Sequence, residues 1–237
     1  MKAPLFYAPG LRDAHDRFTL DEASSRHCVQ VLRHRPGDTV LLTDGEGTRA
    51  VAVIETAGKK HCMVVLAERV CLERPAPPLA VAIAFTKHPG RAEWFLEKAT
   101  EIGITEIFPL RTVRSEKVHA HTGRLRAVMV SAMLQSRQYH LPVLHETTAL
   151  EALVENSAVY ASRFMAHCED SEKTYLSRVL TPGAASLVMI GPEGDFTPAE
   201  IALASGRGFR AVSLGDTRLR TETAGIVACT LLAAARH

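Results

Sequence analysis

Short apolar runs separated by turn residues make up the first part of the chain, residues 1–72. The runs at 39–42, 49–55 and 62–67 are rich in β-branched and aliphatic residues, which predicts three strands. A helix from about residue 22 to residue 32 is indicated by Thr19-x-x-Glu22, which has the spacing of a capping box, and it ends before Pro36-Gly37. These patterns predict a small, mostly β domain in the form of a partly closed barrel.

A proline-rich linker and a change of pattern mark a second domain. Residues 73–78 hold three prolines, which exclude a regular helix or an inner strand and stiffen the chain. From residue 79 to residue 237, strand-like runs alternate with helical stripes, which predicts an α/β domain with a mostly parallel sheet and helices on both faces. The predicted segments are 79–85, 91–102, 105–110, 125–138, 149–154, 159–165, 171–180, 187–190, 199–206, 211–214 and 223–235.

The last predicted helix is apolar all round between residues 224 and 235. A helix without a polar face is buried on every side. At the end of a chain, such burial requires either that its own domain encloses the helix or that the helix packs against a partner subunit. The small residues Ala224, Gly225 and Ala228 would permit a close approach of another backbone.

Two glycine-bearing loops are the strongest indication of a binding site. The first, Gly191-Pro192-Glu193-Gly194, follows the apolar run 187–190, and Thr197-x-x-Glu200 then opens a helix with capping-box spacing. The second follows the run 211–214 and begins at Gly215. Loops that leave the same end of neighbouring strands form the ligand site of an open α/β sheet. The chain lacks the glycine and lysine pattern of a P-loop, so we expect no triphosphate held in that way.

Composition and charge narrow the class of protein. The five cysteines are scattered without a Cys-x-x-Cys pair, so we expect no metal site and no disulfide framework. The absence of a membrane-length apolar run and of a signal-like amino terminus predicts a cytoplasmic protein that does not bind a membrane. The net charge is only +2, but basic residues concentrate at 26–35 and at 111–126, where Lys117, His119 and His121 contribute. Each cluster alone could be a solvated face, whereas two clusters beside a candidate ligand site favour RNA.

The two loops together resemble a known signature. The segments 190–200 and 214–224, the latter with Arg218-Leu219-Arg220-Thr221-Glu222-Thr223-Ala224, are similar to the carboxy-terminal motifs of the knotted SPOUT methyltransferases. They are most similar to the family that methylates N3 of a uridine in small-subunit (16S) ribosomal RNA. Segments 26–38 and 44–47, Lys87 with 97–103, and 135–137 with Pro142 also resemble that family, so the similarity covers nearly the whole chain. One departure is Asp195, where the family often has glycine.

The resemblance implies a fold, a cofactor and partners. The expected fold is a PUA-like RNA-binding β-barrel at 1–72, followed after the linker by a trefoil-knotted α/β methyltransferase domain at 79–237 that forms a homodimer through its last helix. The expected cofactor is S-adenosylmethionine, and the expected acceptor is N3 of a uridine in 16S ribosomal RNA, either naked or in the small ribosomal subunit. The alternatives are methylation of another RNA site, a non-catalytic RNA-binding assembly factor, and an α/β protein whose glycine loops hold an anion or nucleotide.

The resemblance also assigns roles to residues. Because the acceptor nitrogen carries a proton, a guanidinium near uracil O2 or O4 would stabilise the anion, and Arg220 is the first candidate and Arg137 the second. Glu193 is a candidate base, or else it caps a turn or a helix. The residues expected to bind the cofactor are Met165, Ala166, His167, Ile190, Gly191, Pro192, Glu193, Gly194, Phe196, Leu214, Gly215, Leu219, Arg220 and Thr221. The residues expected to contact RNA phosphates are Arg12, Arg17, Arg26, Arg33, Arg35, Lys87, Arg111 and Arg114.

Overall fold

A computed structural model describes residues 3–116 and 122–236. The chain forms two compact units, one made of the residues up to Arg74 with Val130–Leu141, the other made of Pro75–Met129 with the residues from Pro142 onward. The division into 1–72, 73–78 and 79–237 assigns Val130–Leu141 to the second domain, so this segment is where the contacts and the sequence-based division differ. Those domain boundaries stay a prediction.

The first unit is built on a five-stranded sheet. Its strands lie in the order β1-β3-β4-β5-β2, with β1 parallel to β3 and the other pairs antiparallel, where the strands are β1 Leu5–Tyr7, β2 Arg17–Thr19, β3 Thr39–Thr43, β4 Thr48–Ala57 and β5 Cys62–Cys71. The inner residues of β4 alternate between buried and half-buried, so one face of the sheet covers a core that includes Leu42, Ala52 and Val64. The three predicted strands are confirmed.

The helix of the first unit begins differently from the prediction. Helix α1, Glu22–Arg26, continues as a π-helical segment, His27–Val31. Its N-cap is Asp21, whose carboxylate accepts a hydrogen bond from the backbone N–H of Ser24 at 2.7 Å. The predicted cap, Thr19, was wrong because Thr19 belongs to β2.

The second unit is an α/β sheet. Its strands lie in the order β11-β13-β10-β12-β6-β7-β8, and β9 also pairs with β7, all in parallel, where the strands are β6 Leu79–Ile83, β7 Glu106–Arg111, β8 Val143–Leu144, β9 Thr148–Ala149, β10 Ser162–Ala166, β11 Thr174–Tyr175, β12 Ser186–Ile190 and β13 Arg210–Ser213. Its helices are α2 Pro89–Ile102, α4 Leu150–Glu155, α5 Leu176–Val179, α6 Pro198–Gly206 and α7 Thr221–Ala234, while α3 Thr122–Gln135 begins in this unit and from Val130 onward belongs to the first. Every residue of β6 and β12 is buried, as expected of central parallel strands covered on both faces. The predicted α/β class is confirmed, and the knot implied by the resemblance stays a prediction.

Strand order corrects one detail of the predicted binding site. The strands before the two glycine loops, β12 and β13, are not adjacent, because β10 lies between them and pairs with both. The chain leaves β12 at Ile190, returns through α6 and enters β13 on the far side of β10. Three loops therefore leave the same edge of the sheet side by side, after β10, β12 and β13.

Helix α6 begins as the sequence predicts. Thr197 is the N-cap, its hydroxyl accepts from the N–H of Glu200, and the Glu200 carboxylate accepts from the N–H of Thr197 at 2.8 Å. The other oxygen of the buried Glu200 side chain accepts from the N–H of Val113 at 2.8 Å. One carboxylate thus caps the helix and fixes the chain that follows β7.

The last helix, α7, is buried on one face in the single chain, so its own domain does not enclose it on every side. Burial of the remaining face against a partner subunit stays a prediction. Gly225, Ala228, Cys229 and Leu232 are buried, whereas Ile226, Val227 and Leu231 are half-buried and Thr230 is exposed. At Gly225, a Cβ atom would lie 2.7 Å from the ring of Phe95 in α2. Glycine is therefore required for the close packing of α7 on α2.

Two further properties of the described residues concern membrane spans and metal ions. None of the helices within 3–116 and 122–236 combines the length and the hydropathy that a membrane span needs. Within the same ranges, no group of three or more His, Cys, Asp or Glu residues is arranged to hold a metal ion.

Candidate cofactor site

A cleft of about 480 Å³ lies in the second unit where the loops after β10, β12 and β13 leave the sheet. The amino terminus of α7 completes it through Thr221 and Ala224. This volume falls in the range of cofactor-sized sites, about 300–1,000 Å³. Both small and charged residues line the cleft, and its position at the carboxyl ends of parallel strands agrees with the predicted site.

Most residues predicted to bind the cofactor line this cleft, namely Ala166, His167, Ile190, Gly191, Pro192, Glu193, Leu214, Gly215, Leu219, Arg220 and Thr221. Three do not. Met165 and Phe196 are fully buried in the hydrophobic core of the second unit, and Gly194 faces Arg114. Phe196 contributes by supporting the loop, because its ring lies against Gly191.

The loop after β12 has two glycines in different situations. A Cβ atom on Gly191 would lie 3.0 Å from the buried ring of Phe196, so close packing requires glycine here. A Cβ atom on Gly194 would lie 3.5 Å from Arg114, which is an ordinary contact. We therefore infer that the loop backbone packs closely against a neighbouring side chain at Gly191 and not at Gly194.

Two arginine side chains bind this loop, Arg114 from outside the cleft and Arg91 from its wall. Arg114, predicted to contact RNA, donates from Nη1 to the carbonyl oxygen of Gly194 at 2.7 Å. Arg91, which the sequence reasoning missed, donates from Nη1 to Oε1 of Glu193 at 2.7 Å. The Nε atom of Arg91 also lies 3.6 Å from Oε1 of Glu222 in α7. Arg91 thus connects the loop after β12 with the first turn of α7.

His167 is a buried polar side chain of the cleft, with 8% of its surface exposed. Among the described residues, neither ring nitrogen has a hydrogen-bond partner. Burial, and secondarily the nearby Lys173, lowers the pKa of His167 below its usual value. Lys173 itself donates to the carbonyl oxygen of His167 at 3.0 Å. A neutral imidazole with two unsatisfied nitrogens is therefore available to a ligand.

Arg220 and Arg218 lie in the cleft with exposed side chains. Arg220 is the N-cap residue of α7, and the packing of that helix determines its backbone position. Within 3–116 and 122–236, neither guanidinium forms an ion pair or a hydrogen bond. The predicted catalytic arginine is thus free to contact a substrate.

The second catalytic candidate, Arg137, is engaged elsewhere. It belongs to the first unit, has a left-handed backbone (φ 58°) and donates from Nη2 to the carbonyl oxygen of Ala3 at 3.0 Å. These contacts hold the chain after α3 in the first unit. A catalytic role for Arg137 stays a prediction.

Several arginines predicted to bind RNA have acidic partners on the surface. Arg17 pairs with Glu55 and Arg26 with Glu22, each at 2.8 Å. Lys87 pairs with Glu116, Arg12 donates to Sγ of Cys71, and Arg33 has a left-handed backbone (φ 60°). Arg33, Arg35 and Arg111 are exposed. Lys117, His119 and His121 of the second basic cluster lie outside the described residues.

Sequence reasoning missed several residues of the cleft, namely Arg91, Cys168, Lys173, Asp195, Val212, Ser213, Thr217, Arg218 and Ala224. Most lie next to predicted positions in the same loops, so a wider window around each strand end would have included them. Arg91 had no local signal, because it is 102 residues away from Glu193 along the chain.

Comparison with known families defines the class of protein that this fold and cleft represent. Residues 73–233 match the family described as the RNA methyltransferase domain, and residues 20–66 match the RNA methyltransferase PUA domain. The fold and the cleft are thus those of an RNA methyltransferase with an amino-terminal PUA domain.

Individual relatives narrow the family. The chain is 33% identical to Ribosomal RNA small subunit methyltransferase E of Mycobacterium bovis, over 96% of this chain and 90% of the relative. A probable rRNA-methyltransferase from Porphyromonas gingivalis is 39% identical with a TM-score of 0.90, over 98% and 100% of the two chains. Ribosomal RNA small subunit methyltransferase E from Neisseria gonorrhoeae, bound to S-adenosyl methionine, is 26% identical with a TM-score of 0.80, over 96% and 95%. The chain belongs to the ribosomal RNA small subunit methyltransferase E family, which confirms the family resemblance of the glycine loops.

Proposed function

We propose that this chain transfers a methyl group from S-adenosylmethionine to N3 of a uridine in 16S ribosomal RNA. The observation that carries the proposal is the cleft at the carboxyl edge of the sheet, bounded by three loops and by Arg218 and Arg220. The Neisseria gonorrhoeae relative supports the cofactor, because its structure contains bound S-adenosyl methionine. The name of the Mycobacterium bovis relative supports small-subunit ribosomal RNA as the substrate.

The residues of the cleft fit this cofactor. The unsatisfied nitrogens of His167 and the backbone of the glycine loops offer hydrogen bonds to a polar ligand in a partly apolar cleft. The residues that would hold it are the predicted cofactor residues that line the cleft, with Asp195 and Lys173 beside them. When bound, S-adenosylmethionine would supply an electrophilic methyl group.

The residues around the cofactor would prepare the acceptor. A uracil must leave its base pair or stack for N3 to be reached. As N3 loses its proton, negative charge develops on O2 and O4, and the free guanidinium of Arg220 would stabilise that charge. Glu193 is less suited to act as the base, because its carboxylate is paired with Arg91. Holding donor and acceptor in line would supply much of the acceleration.

We also propose a homodimer that packs through α7. The half-buried apolar residues Ile226, Val227 and Leu231 lie on the helix face that the single chain leaves partly uncovered. An apolar face of this kind is stabilised by burial against a second apolar surface. Arg12, Arg17, Arg26, Arg33 and Arg35, with Lys87, Arg111 and Arg114, remain our proposed phosphate contacts. We place the protein in the cytoplasm, where its proposed substrate is assembled.

Transfer of a tritiated methyl group tests the function. Purified protein is incubated with labelled S-adenosylmethionine and either naked 16S RNA or small subunits, and the modified nucleotide is mapped by mass spectrometry. We expect label at N3 of one uridine. Label in a different RNA or at a different atom would overturn the substrate assignment. No label, despite binding of S-adenosylhomocysteine, would indicate an assembly factor, and preferential binding of ATP in calorimetry would indicate a nucleotide-binding protein.

A further inference from the structure

One carboxylate joins two walls of the cleft. Oδ2 of Asp195, in the loop after β12, accepts a hydrogen bond from the backbone N–H of Cys168, in the loop after β10, at 2.7 Å. Both residues line the cleft. The strands before these loops, β10 and β12, are paired along their whole length, so the bond continues their pairing beyond the edge of the sheet.

The backbone of Asp195 adopts a conformation that favours glycine. Its φ is 62°, and its N–H donates to the carbonyl oxygen of Pro192 at 2.9 Å to close the turn. A left-handed conformation disfavours residues with a Cβ atom, and aspartate is among the few that tolerate it. The aspartate therefore offsets a backbone cost with a contact that glycine could not make.

Other contacts fix each loop separately. In the loop after β12, Arg114 binds the carbonyl oxygen of Gly194. In the loop after β10, Lys173 binds the carbonyl oxygens of His167 and Glu169. The hydrogen bond from Cys168 to Asp195 then sets the separation between the two organised loops. It lies next to His167 and opposite Gly191, because a Cβ atom on Gly191 would be 3.4 Å from Oδ1 of Asp195.

We propose that Asp195 is a positioning residue for the cofactor, and that its carboxylate holds the loops after β10 and β12 at the separation that S-adenosylmethionine requires. This inference rests on the proposed function for the identity of the ligand. Asp195 acts through the backbone of Cys168 and not through the reaction, so it governs binding more than turnover.

Two substitutions separate the carboxylate from the backbone conformation. Asp195→Gly keeps the left-handed backbone and loses the acceptor, whereas Asp195→Asn keeps an acceptor oxygen and a side chain that tolerates this conformation. In calorimetry, we expect the dissociation constant of S-adenosylhomocysteine to rise about tenfold in Asp195→Gly and to stay within about threefold of wild type in Asp195→Asn. The kcat at saturating S-adenosylmethionine is expected to change less than about threefold in both.

A matched control and a direct probe complete the experiment. Asp170→Asn removes an exposed carboxylate from the loop after β10 and is expected to bind like wild type. Hydrogen exchange of the Cys168 amide is expected to quicken in Asp195→Gly and to recover in Asp195→Asn, while thermal unfolding shows that all variants are folded. Wild-type affinity in Asp195→Gly, or an Asp195→Asn variant as weak as Asp195→Gly, overturns the inference alone. A wild-type protein that does not bind S-adenosylhomocysteine overturns the cofactor assignment and this inference with it.

Discussion

Arg91 and Glu193 form an ion pair, with 2.7 Å between Nη1 and Oε1, that ties the first turn of α2 to the loop after β12. Glu222 of α7 approaches the same guanidinium at 3.6 Å. A carboxylate held by a neighbouring arginine supports the walls of the cleft, which is a different role from that of a proton acceptor. The pair thus bears directly on how Glu193 contributes to the reaction.

Glu193→Gln tests that role. The amide keeps an acceptor for Arg91, and an exposed ion pair contributes only about 0–1 kcal/mol, so we expect kcat to fall less than about tenfold. Loss of a general base would instead lower kcat by about 10²–10⁴. Single-turnover methylation of 16S RNA at saturating S-adenosylmethionine measures the difference. A fall beyond about a hundredfold would reassign Glu193 as the base.

Arg220→Ala is expected to separate turnover from cofactor binding. Because the Arg220 guanidinium is free in the cleft, its loss should lower kcat by about 10²–10³. The dissociation constant of S-adenosylhomocysteine should change less than about threefold, since the loops that hold the cofactor are unaltered. Arg207→Ala, at an exposed arginine after α6 that does not line the cleft, is the control and should retain most of the turnover. Parallel losses of turnover and affinity in Arg220→Ala would make it a binding residue.

Alanine substitutions should distinguish the two glycines of the loop after β12. In Gly191→Ala the new methyl group meets the buried Phe196 ring at 3.0 Å, so we expect the affinity for S-adenosylhomocysteine to fall at least about tenfold. In Gly194→Ala the methyl group makes an ordinary contact with Arg114 at 3.5 Å, and we expect a change below about threefold. Calorimetry on both variants measures the contrast. The reverse order of affinities would mean that a methyl group at Gly194 disturbs the cleft more than one at Gly191.

Glu200→Ala should destabilise the second unit more than Thr197→Ala does. Removing Thr197 costs one N-cap, about 1 kcal/mol, whereas removing Glu200 also leaves the N–H of Val113 without its acceptor, for a total of about 2–3 kcal/mol. Urea unfolding of the two variants measures the difference. Equal destabilisation would show that the bond to Val113 contributes nothing.

His167 predicts a pH dependence of stability. Burial lowers its pKa in the folded protein, so the folded state binds this proton less tightly than the unfolded chain does. The free energy of unfolding therefore falls as the pH drops below about 6.5, the ordinary value, and the loss is complete below the folded-state pKa. His167→Gln removes this titration, so its stability should decline less than that of wild type between about pH 7.5 and pH 5.5.

The half-buried His140 also has a lowered pKa, and it remains in both proteins, so its contribution cancels in this comparison. Urea unfolding at the two pH values supplies the slopes. An equally steep decline in His167→Gln would assign the acid sensitivity to other groups.

Sequence patterns predicted helices and strands well, because the interactions that form these elements involve residues close together in the chain. The capping box of Thr197 and Glu200 and the apolar run before Gly191 produced the helix and the strand that the sequence indicates. Thr19 does not cap α1, for a reason that is also local. Thr19 is paired as part of β2, and Asp21 directly precedes the helix.

Contacts between distant segments could not be predicted from spacing. Nothing in the order of residues indicates that Asp195 would bind the backbone of Cys168, or that Arg91 would pair with Glu193. Both depend on the strand order, in which β12 lies between β10 and β6, and a single sequence does not determine that order. The residues predicted from the two motifs therefore form much of the cleft, while each of these two bonds joins the first motif to a residue outside both motifs.

The absence of a side chain at Gly225 has a consequence at the amino-terminal end of α7. A Cβ atom at position 225 would lie 2.7 Å from both Phe95 and Ile83. Because the packing is this close, α7 cannot slide or rotate freely. Arg220 precedes that contact by about one and a half turns of helix. The packing of Gly225 in the second unit therefore fixes the backbone position of Arg220. Under the proposed function, the RNA substrate would meet a guanidinium whose backbone position is already fixed, so that only rotamer changes remain.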